Sequence, residues 1–185
     1  KRFLLPANNH SMQKDPILGT SDHFILSSTS LLEWKLEAYI PQPESGKVFS
    51  HEGCIAPGDA PGEIKIVMRT ANYDEDRLTT DPPRAYSSVS RDGGHTWSPA
   101  QPEPSLYNAK SKAWFGRASD GTQVYVYNDG PTQREGGRNA LRYKTKPSGG
   151  AWSEEKTFYD AGIKNSYPTL LEFAPGEFYG VWDSG

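Results

Sequence analysis

Eight residues, Ser90-Arg91-Asp92-Gly93-Gly94-His95-Thr96-Trp97, constrain this chain more than any other stretch. Asp92 is a short acceptor able to hydrogen-bond backbone amides ahead of it. Gly93 and Gly94 supply the positive φ angles of primed hairpin turns. Thr96 can donate into the turn, and Trp97 provides a large apolar lid. The stretch predicts a tight hairpin turn, and so a chain built from antiparallel strands.

The flanking sequence alternates as strands do. Strands are predicted at Phe3–Ala7, Asp22–Thr29, around Trp34–Ile40, Ser50–Ala56, Ile64–Thr70 and Ala85–Ser90, with a strand tail after the turn. The pattern returns at Ala113–Ala118, Thr122–Asn128 and Ala140–Thr145, where a turn leads to Trp152, and again at Tyr167–Phe173 and Phe178–Trp182. Loops rich in Pro, Gly or polar residues are expected at Asn8–Gly19, Pro41–Gly46, Pro57–Gly62, Ala71–Pro83 and Asp129–Gly137. No segment has a helical period.

The turn also serves as a ruler. The offsets from Trp97 that reach Ser90, Asp92, Gly94 and Thr96 reach Thr145, Pro147, Gly149 and Ala151 from Trp152, and Ser27, Thr29, Leu31 and Glu33 from Trp34. One turn is intact and two are worn. Tryptophan spacings of 63 and 55 residues suit a repeating four-stranded sheet with long loops. The units run approximately over 1–46, 47–107, 108–162 and 163–185, the first without its innermost strand and the last without its outer ones. A sheet in such a repeat needs a neighbour on each face. The chain is therefore expected to open inside a strand, as a section of a longer ring whose remaining blades are its partners.

Composition excludes several classes. A net charge of −3 leaves no basic block for nucleic acid or an anionic membrane surface. No apolar run is long enough for a membrane-spanning helix. The single cysteine, Cys54, rules out an internal disulfide framework. His10, His23, His51 and His95 lack metal-ligand spacing, so no metal or other cofactor is expected. Asp74-Glu75-Asp76 reads as a solvated acidic loop. Ser50-His51-Glu52 is no hydrolase triad, because neighbours in a strand face opposite ways.

In a ring of sheets, chemistry sits at the central channel, on inner strands and their loops. Four residues qualify. Glu52 lies among small and apolar neighbours in Ser50-His51-Glu52-Gly53-Cys54-Ile55. Arg69 ends an apolar strand, Arg138 follows Gly136-Gly137, and Tyr167 opens the strand Tyr167-Pro168-Thr169-Leu170. Taken singly, each reads as an ordinary surface or ion-paired side chain. Their order and separations, 17, 69 and 29 residues, carry more than any one of them.

The order Ser-x-Asp-x-Gly-x-Thr-Trp resembles the Asp-box of the sialidase (neuraminidase) superfamily, the BNR-repeat β-propellers. The succession Glu52, Arg69, Arg138, Tyr167 resembles the second half of the sialidase active site. The resemblance implies an all-β fold, a sialidase-type six-bladed β-propeller of which this chain covers about three and a half blades. It implies an exo-acting glycoside hydrolase releasing terminal sialic acid or a related acidic sugar, with Tyr167 and Glu52 as the nucleophile pair and Arg69 and Arg138 binding the substrate carboxylate. Planar guanidinium forks suit a carboxylate. That carboxylate would repel an Asp or Glu nucleophile, which accounts for tyrosine in this role. A neighbouring carboxylate can take the phenol proton, and arginines favour the phenolate. His51-Glu52-Gly53 departs from the commoner Asn-Glu-Pro form. The family's first arginine and acid/base aspartate have no counterpart in context here, since Arg2 and Asp22 sit wrongly for either role; the fragment alone is expected to be inactive. Two alternatives stand beside this: a propeller glycosidase or lyase acting on uronic-acid polysaccharide, and a non-catalytic carbohydrate-binding propeller. A secreted or periplasmic location is expected.

Overall fold

The computed structural model describes residues 1–8, 23–43, 48–72, 84–108, 111–129 and 138–185. The expectations for His10, Asp22, Asp74-Glu75-Asp76 and most of the loops at 8–19, 71–83 and 129–137 lie outside them. The described residues form four antiparallel meanders, each with its strands in chain order. The first holds β1 (Phe3–Asn8), β2 (His23–Ser28) and β3 (Lys35–Ile40). The second holds β4 (Val48–Pro57), β5 (Ile64–Asn72), β6 (Arg84–Ser90) and β7 (Gln101–Tyr107). The third holds β8 (Trp114–Arg117), β9 (Gln123–Asn128), β10 (Leu141–Lys146) and β11 (Lys156–Tyr159), and the fourth β12 (Asn165–Ala174) and β13 (Glu177–Ser184).

The sheets stack face to face. β4 packs beside β1 and β8, and β12 beside β8 and β9. Three apolar seams result, and the pleat explains each. In β9 every residue is buried. Tyr125 and Tyr127 enter the seam toward the second sheet, with Ala56, Val67, Leu106 and Phe115. Val124 and Val126 enter the seam toward the fourth, with Leu141 and Leu170. β5 does the same between the first and second sheets, where Ile66 and Met68 meet Ile25, Ile40 and Trp97. Strand alternation in the sequence thus marks two buried faces, not one.

The Ser90–Trp97 turn joins β6 to β7. Asp92 Oδ1 accepts the amides of His95 at 3.0 Å and Thr96 at 2.9 Å, and the Thr96 hydroxyl donates to Oδ2 at 2.6 Å. These bonds, led by that of the Thr96 hydroxyl, hold the Asp92 carboxyl well below the usual carboxylate range. Gly93 and Gly94 take φ of 74° and 95°.

The worn turns keep the geometry and lose the carboxylate. Three residues before its tryptophan, Leu31 has φ 68° and Gly149 φ 70°, matching Gly94. Trp34 Nε1 donates to the Leu31 carbonyl at 3.1 Å, as Trp97 Nε1 does to Gly94 at 3.2 Å. They are also one residue shorter than counting back from tryptophan implies. Val89 exchanges hydrogen bonds with Ser98, whereas Thr145 exchanges them with Ser153 and Ser27 pairs with Lys35. Thr145 therefore stands where Val89 does, not Ser90. The Trp34 turn joins β2 to β3, so β1 corresponds to the second strand of a complete sheet. β11 follows Trp152 and is absent from the strands expected from sequence; its four residues, Lys156-Thr157-Phe158-Tyr159, are too few to display a period.

Candidate active site

Glu52 and Tyr167 occupy the same kind of position in different sheets. The ladder between β4 and β5 runs regularly from Pro57↔Ile64 to Gly53↔Met68, then resumes at His51↔Arg69, leaving Glu52 as an inserted residue. β12 pairs with β13 through Ser166↔Asp183 and resumes at Thr169↔Val181, leaving Tyr167 and Pro168 out of step. Pro168 has no N–H to give a ladder, so a bulge accommodates it. Both bulges put a non-glycine residue in the left-handed region, Glu52 at φ 47° and Tyr167 at φ 54°. Such conformations cost about 1–3 kcal/mol each and persist only where the surroundings impose them. Bulges of this kind re-aim a side chain.

Each re-aimed side chain meets an arginine. Glu52 Oε2 accepts from Arg69 Nη1 at 2.7 Å, the pair being roughly three-quarters or more buried. Arg138, just before β10, donates from Nη2 to the Tyr167 hydroxyl at 2.7 Å, with its Cζ 4.6 Å from the ring centroid. The four sequence candidates thus form two pairs, Glu52 with Arg69 and Arg138 with Tyr167. No hydrogen bond joins one pair to the other among the described residues. Arg69 Nε is buried without an acceptor, an unmet donor of a kind that native proteins seldom keep without a use.

Arg2 lies elsewhere. It donates to the Gly93 carbonyl, meets His95 Nε2 at 3.0 Å and pairs with Glu37 at 3.4 Å, so it straps the first sheet to the Ser90–Trp97 turn. Among the described residues no cluster of His, Cys, Asp and Glu could hold a metal ion.

Two residues behind Glu52 were not singled out from sequence. A Cβ on Gly53 would lie 2.7 Å from Ile66 Cδ1 and 2.8 Å from His23 Cε1. His23 is 1% exposed, with neither ring nitrogen partnered, and burial lowers its pKa to about 4. A glycine beside a candidate carboxylate was the available signal, but nothing local in the sequence pointed to the histidine across the seam. Gly53→Ala is expected to destabilise the protein by about 1–3 kcal/mol through overpacking. An unfolding midpoint in urea equal to that of the parent would contradict the close contact.

Consecutive antiparallel sheets stacked with their inner strands side by side, tied by tryptophan-lidded turns, define a sialidase-type β-propeller. The chain belongs to the BNR repeat-like domain family, which matches residues 1–179. Solved structures share the fold. NanB sialidase from Streptococcus pneumoniae superposes with a TM-score of 0.61 at 17% identity, over 91% of this chain and 24% of that one. Trypanosoma rangeli sialidase gives 0.62 at 14%, over 99% and 27%. An α-L-arabinanase of Penicillium chrysogenum, complexed with arabinobiose, gives 0.63 at 16%, over 100% and 54%. The chain therefore spans about a quarter of the sialidases' length and about half of the arabinanase's. No curated protein sequence matches it.

Proposed function

We propose that this chain is the portion of an exo-acting glycoside hydrolase that carries the nucleophile and the carboxylate clamp for sialic acid or a related acidic sugar. The observation that carries the proposal is the paired strain: Glu52 and Tyr167, the candidate base and nucleophile, both sit on bulges with positive φ and both touch an arginine. Tyr167 attacks the anomeric carbon and its phenol proton passes to Glu52, whose carboxylate Arg69 orients. A glycosyl-tyrosine forms with loss of the aglycone, and water then releases the sugar with retention of configuration. Arg138 stays bonded to the phenol oxygen as it gains charge, and the arginines together meet the substrate carboxylate. Among the described residues no aspartate forms a hydrogen bond or ion pair with these four. General-acid help to the leaving group, worth about 10²–10⁴ in rate, falls to a residue outside them.

Hydrolysis of a fluorogenic sialoside by the full-length protein tests the proposal, and absence of turnover alongside release of arabinose from arabinobiose would overturn it. The second reading is an arabinan-cleaving enzyme on the same fold, as the arabinanase is, in which a neutral pentose needs no carboxylate clamp. Arg138→Ala separates the two. Loss of its charge-assisted bonds is expected to weaken sialic acid affinity by about 1.5–3 kcal/mol, or roughly 10- to 150-fold, in titration calorimetry. An arabinan-binding site would show no such loss.

A further inference from the structure

Arg138 reaches the Tyr167 hydroxyl through a long side chain, so its backbone has to be held in place for the contact to persist. Asn165 bonds that backbone directly. Asn165, wholly buried at the start of β12 and two residues before Tyr167, donates its backbone N–H to the Arg138 carbonyl at 3.0 Å. Its Nδ2 donates to the Asn139 carbonyl at 3.1 Å and to the Ile163 carbonyl at 2.8 Å. Its own carbonyl accepts from Asn128 Nδ2 at 2.5 Å, Asn128 being 2% exposed at the end of β9. The Asp129 amide donates to the Ala140 carbonyl at 3.0 Å, so residues 138–140 are gripped from both β9 and β12.

The chemistry favours asparagine specifically. A planar amide offers two N–H donors from one short side chain, enough for two carbonyls on different segments; aspartate would oppose both, and leucine could bind neither. The arrangement is not optimised for stability alone. The Oδ1 atoms of Asn165 and Asn128 are both buried without a partner, and an unmet buried acceptor costs about 1–3 kcal/mol. The side chain that tolerates this cost holds the Asn139 carbonyl, next to Arg138, while the Asn165 backbone N–H holds the Arg138 carbonyl itself.

We propose that Asn165, buttressed by Asn128, is a positioning residue that sets the Arg138 guanidinium against the Tyr167 phenol. Its consequence for turnover rests on the proposed glycosidase reaction; the placement itself does not. A displacement near 1 Å at such a site costs about a hundredfold in rate.

The test uses the full-length protein and reads the guanidinium directly. Nitrogen-detected NMR of Arg138, assigned by Arg138→Lys, is expected to give separate Nη signals, because the bond to Tyr167 hinders rotation about Nε–Cζ. Tyr167→Phe is expected to merge them, and Asn165→Ala, which removes the side-chain bonds to the Asn139 and Ile163 carbonyls and keeps the backbone bond to Arg138, to bring them measurably toward merging. A separation unchanged from the parent's in a folded Asn165→Ala protein would overturn the inference. If that variant does not fold, Asn128→Ala takes its place: broadened Arg138 signals support the inference and unchanged ones overturn it. In hydrolysis of a fluorogenic sialoside, Asn165→Ala is expected to lower kcat/KM about 100-fold in the parent and less than threefold in an Arg138→Ala background. Equal losses in both backgrounds would make Asn165 merely structural. Merged signals in a protein without sialoside turnover would refute the proposed reaction and uphold the placement.

Discussion

Replacing Tyr167 by phenylalanine is expected to lower sialoside turnover by roughly three to six orders of magnitude while leaving sialic acid affinity within about threefold. The substitution removes one atom. The ring stays, so the guanidinium 4.6 Å from its centroid keeps that contact and loses only the 2.7 Å bond to the hydroxyl. The backbone at φ 54° and the bulge that imposes it are unchanged, because neither depends on the phenol. What disappears is the phenol oxygen proposed to form the bond to the anomeric carbon. Steady-state kinetics with a fluorogenic sialoside, beside calorimetry with the free sugar, separates the outcomes. Retention of more than about a tenth of the parental rate would exclude tyrosine as nucleophile and favour a lyase or a uronic-acid enzyme on the same fold. Loss of binding together with turnover would show that the phenol holds the substrate and does not attack it.

The second large effect is on stability, and acid reveals it. His23 lies buried against Gly53 with both nitrogens unpartnered, and its pKa falls from the ordinary 6.5 to about 4. Between these values the unfolded chain takes up a proton that the folded one refuses. The contribution of His23 to stability is therefore complete above pH 6.5, declines as the pH falls through the window, and is exhausted near pH 4. At about 1.4 kcal/mol per unit, the loss across the window is about 3 kcal/mol. Urea unfolding of the parent and of His23→Asn at matched pH values gives the measurement. The difference between the two curves is expected to grow as pH falls from 6.5 to 4, whatever the other titrating groups contribute to both. Parallel curves would mean that the imidazole accepts its proton inside the fold.

The strands were legible in the sequence because period-2 patterning and turn residues are local signals. Ile64–Thr70 alternates, and the observed strand, Ile64–Asn72, begins where the pattern does. The Ser90–Trp97 turn could be read atom by atom, since an aspartate, two glycines and a threonine in that order have few other uses. β11 was lost because Lys156–Tyr159 carries its meaning in pairing with β10, not in its own residues. The length of the worn turns is hidden in the sequence for a related reason. The Trp34 and Trp152 turns keep the left-handed residue three before the tryptophan, but the register belongs to Ser27↔Lys35 and to the bonds between Thr145 and Ser153.

At the candidate site, residue types and order pointed to Glu52, Arg69, Arg138 and Tyr167, and guanidinium and carboxylate chemistry made the set coherent. Which arginine meets which partner was not legible. Pairing depends on an inserted residue at 52 and another at 167–168, and only the latter has a sequence mark, the proline inside a strand. Asn165 and His23 were silent for the same reason. An asparagine two residues upstream, or a histidine in a neighbouring sheet, acquires a role only through the backbone it meets.

β9 carries one further consequence. Its tyrosines face one neighbouring sheet and its valines the other, so a single strand writes two independent inscriptions in alternate letters. A change at Val126 disturbs the seam toward β12 and leaves the seam toward β4 and β5 untouched; a change at Tyr125 does the reverse. Substitutions on opposite faces fall in different neighbourhoods, and those more than about 7–10 Å apart with no shared partner combine additively. A lineage of such rings is free to revise the angle between one pair of blades without renegotiating the next. Each seam is then open to revision on its own.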